Sequence, residues 1–365
     1  MSDTQELLRE LSSVYDENNN DSYLSIYLSL EDRNKEKTIS RRSQQIKYVI
    51  DDKKVRERID VAIERGFEIT KQRQKSTRSM AIFIHLDSDK EWIKEIGAHI
   101  DTSMTLDASP YILPLARFSD DYDRFLLLMI DGKNAKIHYV EDAFASEESN
   151  LSHNAIGRHR KGGWSQMRYQ RNREGIVKAF YDQVSEELEE LIEIHNSPRI
   201  IVAGPGSAKI QFQERMSKRA KELMVTVEDT DSSDINNSIL QKILSLAERL
   251  ENLEEDTYIL QLKDGLMTGK STAVGSKEVL IAAEEGRIKD LLLLEEHHIS
   301  GMKCEPCQTY IFSKNTNCSN CGSEGNEVDL ANEAAEAAIR SRSHIEFIDD
   351  PFLENLGGIA ALLRW

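Results

Sequence analysis

Two groups of residues in this sequence have the types and spacing to do chemistry. The first is Cys304, Cys307, Cys318 and Cys321, which are all the cysteines of the chain and read C-x2-C-x10-C-x2-C. Each close pair can grip one side of a tetrahedral ion, and thiolate sulfur suits Zn²⁺. Cysteines that staple an oxidised fold are scattered along a chain to join distant segments, which these are not. Gly322, directly after the second pair, suits a tight knuckle. Four protein ligands leave no open coordination position, so the expected role of the metal is structural. A reduced, metal-free thiol cluster is the plainer reading.

The second group lies in RHRKGGWSQMRYQRNR at 158–173, where six of the side chains are Arg or Lys and none is acidic. Gly162 and Gly163 carry no Cβ and let their amides approach another backbone or a sugar closely. Trp164 offers a face on which a base can stack, and Ser165 and Gln166 offer neutral hydrogen-bonding groups. Arg158, Arg160, Lys161, Arg168, Arg171 and Arg173 have the charge to meet phosphates. A neutral glutamine without an activated nucleophile suits hydrolysis of an already reactive ester. There, positioning water and stabilising an oxyanion suffice. The plainer reading is a basic loop that binds RNA and does no chemistry. With little apolar surface to bury, the loop is expected to be mobile.

The formal net charge of the whole chain is -17, which argues against nucleic acid only if charge is averaged over the molecule. Phosphate responds to patches within a Debye length, roughly 8–10 Å at physiological salt. A second locally basic stretch, 33–78, has 15 Lys/Arg against 7 Asp/Glu, for which a solvated helical face is the plainer reading. Other motifs carry less. AGPGSAK at 203–209 reads as a tight strand-to-helix turn. GLMTGKST at 265–272 has three residues between its glycines, where a phosphate loop needs four. His85 and the His297-His298 pair have no companions at ligand spacing.

A chain of 365 residues is expected to form two or three domains. Its apolar runs, such as FLLLMI at 125–130, are far shorter than a membrane helix, and MSDTQELLRE lacks the order of a secretory signal. A cytoplasmic protein without a membrane partner is expected. DSYLSIYLSL at 21–30 alternates like a strand, and a mostly helical stretch follows to about 75. Strand MAIFIHLD at 80–87 is read as opening a second unit. In it, FLLLMIDG and AKIHYV make a hairpin, 141–150 is polar loop, and a helix runs over about 172–196. From 199 onward strands alternate with helices: strand 199–204, helix 209–221, strand 223–228, helix 233–252, strand YILQL at 258–262, helix 276–286, strand 288–295, helix 329–342 and strand 344–349. This alternation predicts α/β (α+β multidomain) architecture.

The loop GGWSQMRYQR at 162–171 resembles the Gly-Gly-Gln loop of the archaeo-eukaryotic class I peptide-chain release factor superfamily, which also includes Pelota. The DG hairpin at 131–132, IVAGPG at 201–206 and the ending LGGIAALLRW at 356–365 add to the resemblance, which covers about 80–365. Gln166 stands two places beyond the usual glutamine, with Trp164 in its place. That displacement is most similar to the Vms-like release factors, peptidyl-tRNA hydrolases of ribosome quality control. The N-terminal unit contains no NIKS motif, so stop-codon reading is not expected.

The resemblance implies three domains. They are an N-terminal α+β unit at 1–77, a release-factor-like catalytic middle domain at 78–197, and an L7Ae-like α/β domain at 198–365 with a zinc-bearing insertion at about 300–325. It implies hydrolysis of the ester between nascent peptide and tRNA on stalled ribosomes. Gly162, Gly163, Trp164, Ser165 and Gln166 would form the catalytic tip. The implied partners are the large ribosomal subunit, its rRNA, peptidyl-tRNA, and a ribosome-splitting ATPase or GTPase. The alternatives are a non-catalytic Pelota-like rescue factor and an RNA-binding factor.

Overall fold

The computed structural model describes residues 3–16, 21–121, 124–153, 164–197, 199–230, 235, 237–269, 271–295, 297–304, 306–312 and 316–365. They form two compact units, one from 1–121 together with 251–365 and the other from 122–250.

The first unit begins with α1 (Asp3–Leu11), β1 (Tyr23–Ser29), α2 (Lys35–Val49) and α3 (Lys53–Ile69). Strands β2 (Ser79–His85), β3 (Glu91–Ile96) and β4 (Ser103–Asp107) follow, then α4 (Leu113–Asp121). The four strands make an antiparallel sheet in the order β3-β2-β1-β4, with Leu24 opposite Ile84 and Ile26 opposite Ile82. A boundary after 77 would separate 21–30 from 80–87, but the two segments are neighbouring strands of this one sheet. Leu24, Ile26, Leu28, Met80 and Ile82 meet Ile39, Ile46, Val55 and Ile59 of the two helices in one core. The helices therefore owe their place to a stripe of β-branched and aliphatic side chains three and four apart.

The second unit holds β5 (Phe125–Ile130), β6 (Asn134–Glu141), β7 (Phe144–Ser152), α5 (Trp164–His195), β8 (Ile200–Gly204), α6 (Ala208–Gln213), α7 (Lys218–Leu223) and β9 (Met224–Asp229). Its sheet order is β7-β6-β5-β8-β9, with β5, β8 and β9 parallel and the rest antiparallel. The β5–β6 hairpin turns at Asp131, whose carboxylate accepts the amides of Lys133 and Asn134 at 2.6 and 2.7 Å. Phe180, Val184, Leu188, Leu191 and Ile192 of α5 pack on Leu126, Leu128 and Val202. Residues 141–150, expected as loop, contain most of β7, whose exposed polar pattern carries no apolar alternation.

Helix α8 (Asn237–Thr268) runs through YILQL, where a strand was expected. Ile259 and Leu262, three apart, are buried while Leu260 is 66% exposed, which is helical spacing. The remaining elements belong to the first unit: β10 (Thr272–Val274), α9 (Gly275–Glu284), β11 (Ile288–Leu294), β12 (Ser300–Cys304), β13 (Thr309–Ile311), β14 (Asn326–Asp329), α10 (Leu330–Arg340), β15 (His344–Ile348), α11 (Pro351–Asn355) and β16 (Ile359–Leu363). They make a mixed sheet, β10-β16-β11-β15, in which β11 and β15 are parallel, and a small antiparallel sheet, β13-β12-β14. The chain is thus a multidomain α/β protein with mixed sheets. Among the described residues no helix is long and apolar enough to cross a membrane.

Candidate functional site

Cys304 ends β12, Cys307 lies in the turn before β13, and Cys318 and Cys321 occupy the turn between β13 and β14. Pairing of β12 with both neighbours brings the two turns to the same end of the small sheet. All four sulfurs lie within 4.8 Å of one another, and those of Cys304 and Cys321 are 3.4 Å apart. A tetrahedral Zn²⁺ with bonds of about 2.3 Å needs sulfurs about 3.8 Å apart, so the four thiols fit the ion. All are free cysteines.

The local backbone prepares the second pair to be anionic. The Cys318 sulfur accepts the Asn320 amide at 3.3 Å, and the amides of Cys321 and Asn320 hold its pKa below the ordinary thiol range. Hydrogen bonds from the Ser323 hydroxyl and amide push Cys321 down to about 6. Protons are retained on the other pair: a hydrogen bond shared with Cys321 raises Cys307, and burial raises Cys304. Amides aimed at sulfur are the partners that orient thiolate ligands. Gly322 has φ +78°, and its amide reaches back to the Cys318 carbonyl at 2.9 Å. Gln308 takes the same left-handed place after the first pair at φ +51°, a position that residue type offered no reason to single out.

Nothing in the local sequence pattern announces the buried polar network beside this site. Lys303, next to Cys304, places its ammonium 2.8 Å from Glu333 Oε2 and 4.6 Å from the ring centre of Tyr15. Tyr310 donates to the same Glu333 oxygen at 2.9 Å. A lysine is seldom buried without such pairing, yet Lys303 is 9% exposed.

The basic glycine segment has a different setting. Trp164, Ser165, Gln166 and Arg168 stand in the first turns of α5, which begins eight residues before the position expected from sequence. Arg171 and Arg173 are exposed further along it. Arg158, Arg160, Lys161, Gly162 and Gly163, with the expected mobility of that stretch, lie outside the described residues. The turn read at 203–209 has a packing reason. A Cβ on Gly204 would come within 1.9 Å of the Ile130 carbonyl oxygen, and the buried Lys209 ammonium binds the Asp229 carboxylate at 2.5 Å.

Residues 110–248 match the family described as bacterial archaeo-eukaryotic release factor family 10. Peptide chain release factor subunit 1 of Methanopyrus kandleri is 29% identical over 210 residues, 55% of this chain and 51% of that protein. The chain thus spans about half the length of that relative. The protein of the same name from Thermococcus sibiricus is 25% identical over 87% of this chain and 86% of its own length. The crystal structure of Archaeoglobus fulgidus Pelota aligns with 100% of this chain and 93% of its own at 17% identity and a TM-score of 0.38. Over residues 110–248 the chain is thus similar to the archaeo-eukaryotic class I release factors, and the curated relatives extend that similarity beyond this stretch at lower identity.

Proposed function

We propose that this chain is a ribosome-directed factor that carries Gly162–Gln166 to the acceptor end of peptidyl-tRNA. The observation that carries this reading is the basic Gly-Gly segment leading straight into α5, inside the stretch matched by the release factor family. The large subunit, its rRNA and peptidyl-tRNA would be the partners, and a splitting ATPase or GTPase would prepare the ribosome. Residues 198–365 are read as the L7Ae-like part, with Zn²⁺ as a structural cofactor on the four cysteines. In the hydrolytic form of the reading, most similar to the Vms-like group, Gly162 and Gly163 admit the terminal ribose and Gln166 orients water. Trp164 and Ser165 shape the tip, and Arg158, Arg160, Lys161, Arg168, Arg171 and Arg173 neutralise RNA phosphate. The expected location is the cytoplasm.

A second reading, Pelota-like rescue without catalysis, is favoured by one feature. Gln166 stands on a helical backbone that starts at Trp164, rather than directly after the two glycines. Release of labelled peptide from stalled ribosome–nascent-chain complexes separates the two. Hydrolysis predicts release by the wild type and a fall of about 10²-fold or more for Gln166→Ala. Binding to large subunits with no release above background by the wild type selects the rescue reading. Absence of binding removes both.

A further inference from the structure

A second set of metal-type ligands converges in the first unit, away from the cysteines. Asp120, the penultimate residue of α4, and His344 and Glu346 of β15 each place one ligand atom within 4.8 Å of the other two. His344 and Glu346 are two apart on a strand, so the alternation of the backbone sends both to one face. Their nearest approach is 3.6 Å, from His344 Nδ1 to Glu346 Oε2. Ligands bonded to one ion at about 2.0–2.2 Å stand roughly 3 Å or slightly more apart, so only a small adjustment is needed.

Two of the three side chains are oriented by further contacts. Asp120 Oδ2 accepts the Phe347 amide at 2.9 Å, which fixes the plane of the carboxylate. The His344 ring stacks on Tyr258 at 5.8 Å with planes 8° apart. Support of this kind, from outside the ligand set, orients metal-binding carboxylates and imidazoles. Glu346 is 2% exposed and forms the floor, whereas half of the His344 side chain is open to solvent at the rim. Strand β15 is the edge of its sheet, and α4 meets it there through Asp120. A buried oxygen floor with an open imidazole rim admits an ion and leaves room for water to complete its shell.

We propose that Asp120, His344 and Glu346 form a second cation site, selective for divalent ions that accept mixed nitrogen and oxygen ligands, with Mn²⁺ or Zn²⁺ as the fitting occupants. Its chemistry differs from that of the four thiols, because carboxylate and imidazole ligands accept Mn²⁺ and a sulfur cage selects softer ions. That difference supplies the test. The full chain, with its cysteines loaded with zinc, is titrated with Mn²⁺ while free Mn²⁺ is followed by its paramagnetic resonance signal. The expected result is one saturable Mn²⁺ per chain, weakened about tenfold or more by His344→Ala and by Glu346→Gln. Cysteine-bound zinc measured in each variant shows that the unit has folded, and His344→Ala removes an exposed ring whose loss the fold should tolerate. If the imidazole serves only as a cation between two carboxylates, no saturable Mn²⁺ is taken up and the proposal falls. It falls equally if uptake by both variants is unchanged from the wild type, as diffuse attraction to an acidic surface would give.

Discussion

Ser109 Oγ donates a 2.8 Å hydrogen bond to Glu336 Oε1, although 227 positions separate the two residues. Asn332 Nδ2 donates to the same oxygen at 2.9 Å, while its own Oδ1 accepts the Ile112 amide at 2.9 Å. Tyr111 donates to Asp329 at 3.1 Å. Helix α10 is thereby bound to the segment after β4 through buried and partly buried polar groups.

That burial has a pH signature. Desolvation, reinforced by the charge of Glu333, raises Glu336 to about 8, and desolvation raises Asp107 to about 7. Both groups hold a proton in the folded chain that the unfolded chain has released above the ordinary carboxylate range. Stability from these two groups therefore falls as pH rises from about 4.5 toward 8. Urea midpoints of the protein between pH 6 and 8.5 should decline, and Glu336→Gln should flatten the decline. An unchanged slope in that variant would place the titration elsewhere.

If the four cysteines hold zinc, as proposed, removing the ion should do more than loosen two turns. Lys303 is bonded to Cys304 through the chain and lies over Tyr15, so a chelator that frees the cysteines should also release the segment after α1. Amide exchange at 12–16 should accelerate together with exchange in β12 and β14. Cys318→Ser should cost several kcal/mol, on the order of a substantial share of a structural zinc site. Exchange confined to the cysteine turns would disprove the coupling.

Two glycines should respond to alanine for different reasons. Gly322 has no neighbour within 4 Å of an added Cβ, so its left-handed backbone alone sets the cost, about 1 kcal/mol. Gly204 meets the Ile130 carbonyl, and relief requires β8 to move from β5, at a cost of about 3 kcal/mol. Chemical denaturation of the two variants should show this order, with zinc affinity lowered only by Gly322→Ala.

Much of this was legible before the fold was known, and the omissions share a cause. The C-x2-C pairs specify their chemistry through spacing, and 176–192 shows its helix through apolar side chains three and four apart. Strand β7 and the start of α5 have no such stripe, because polar segments record little about the surface they face. YILQL misled because its β-favouring residues fit a strand locally while burial of Ile259 and Leu262 follows the helix. The Asp120, His344 and Glu346 cluster joins residues more than 200 positions apart, and no local pattern announces such a meeting.

The exposed cations of α5 offer a test of the ribosome reading. Replacing Arg171 and Arg173 with Glu should weaken association with large ribosomal subunits. The salt dependence should become shallower by about 0.7–0.9 log units for each phosphate that is no longer neutralised. Equal binding at every salt concentration would exclude that face from the interface.

Because the first unit is assembled from 1–121 and 251–365, it has a history during synthesis that the second unit does not share. Everything needed for 122–250 has been made before the first unit's closing strand, β16, exists. The N-terminal sheet must wait for α10 to supply the partners of Ser109 and Ile112, with a long loop-closure entropy to overcome. A nascent chain interrupted before residue 330 would thus carry the helix α5 already built, while its N-terminal sheet still lacked its final support.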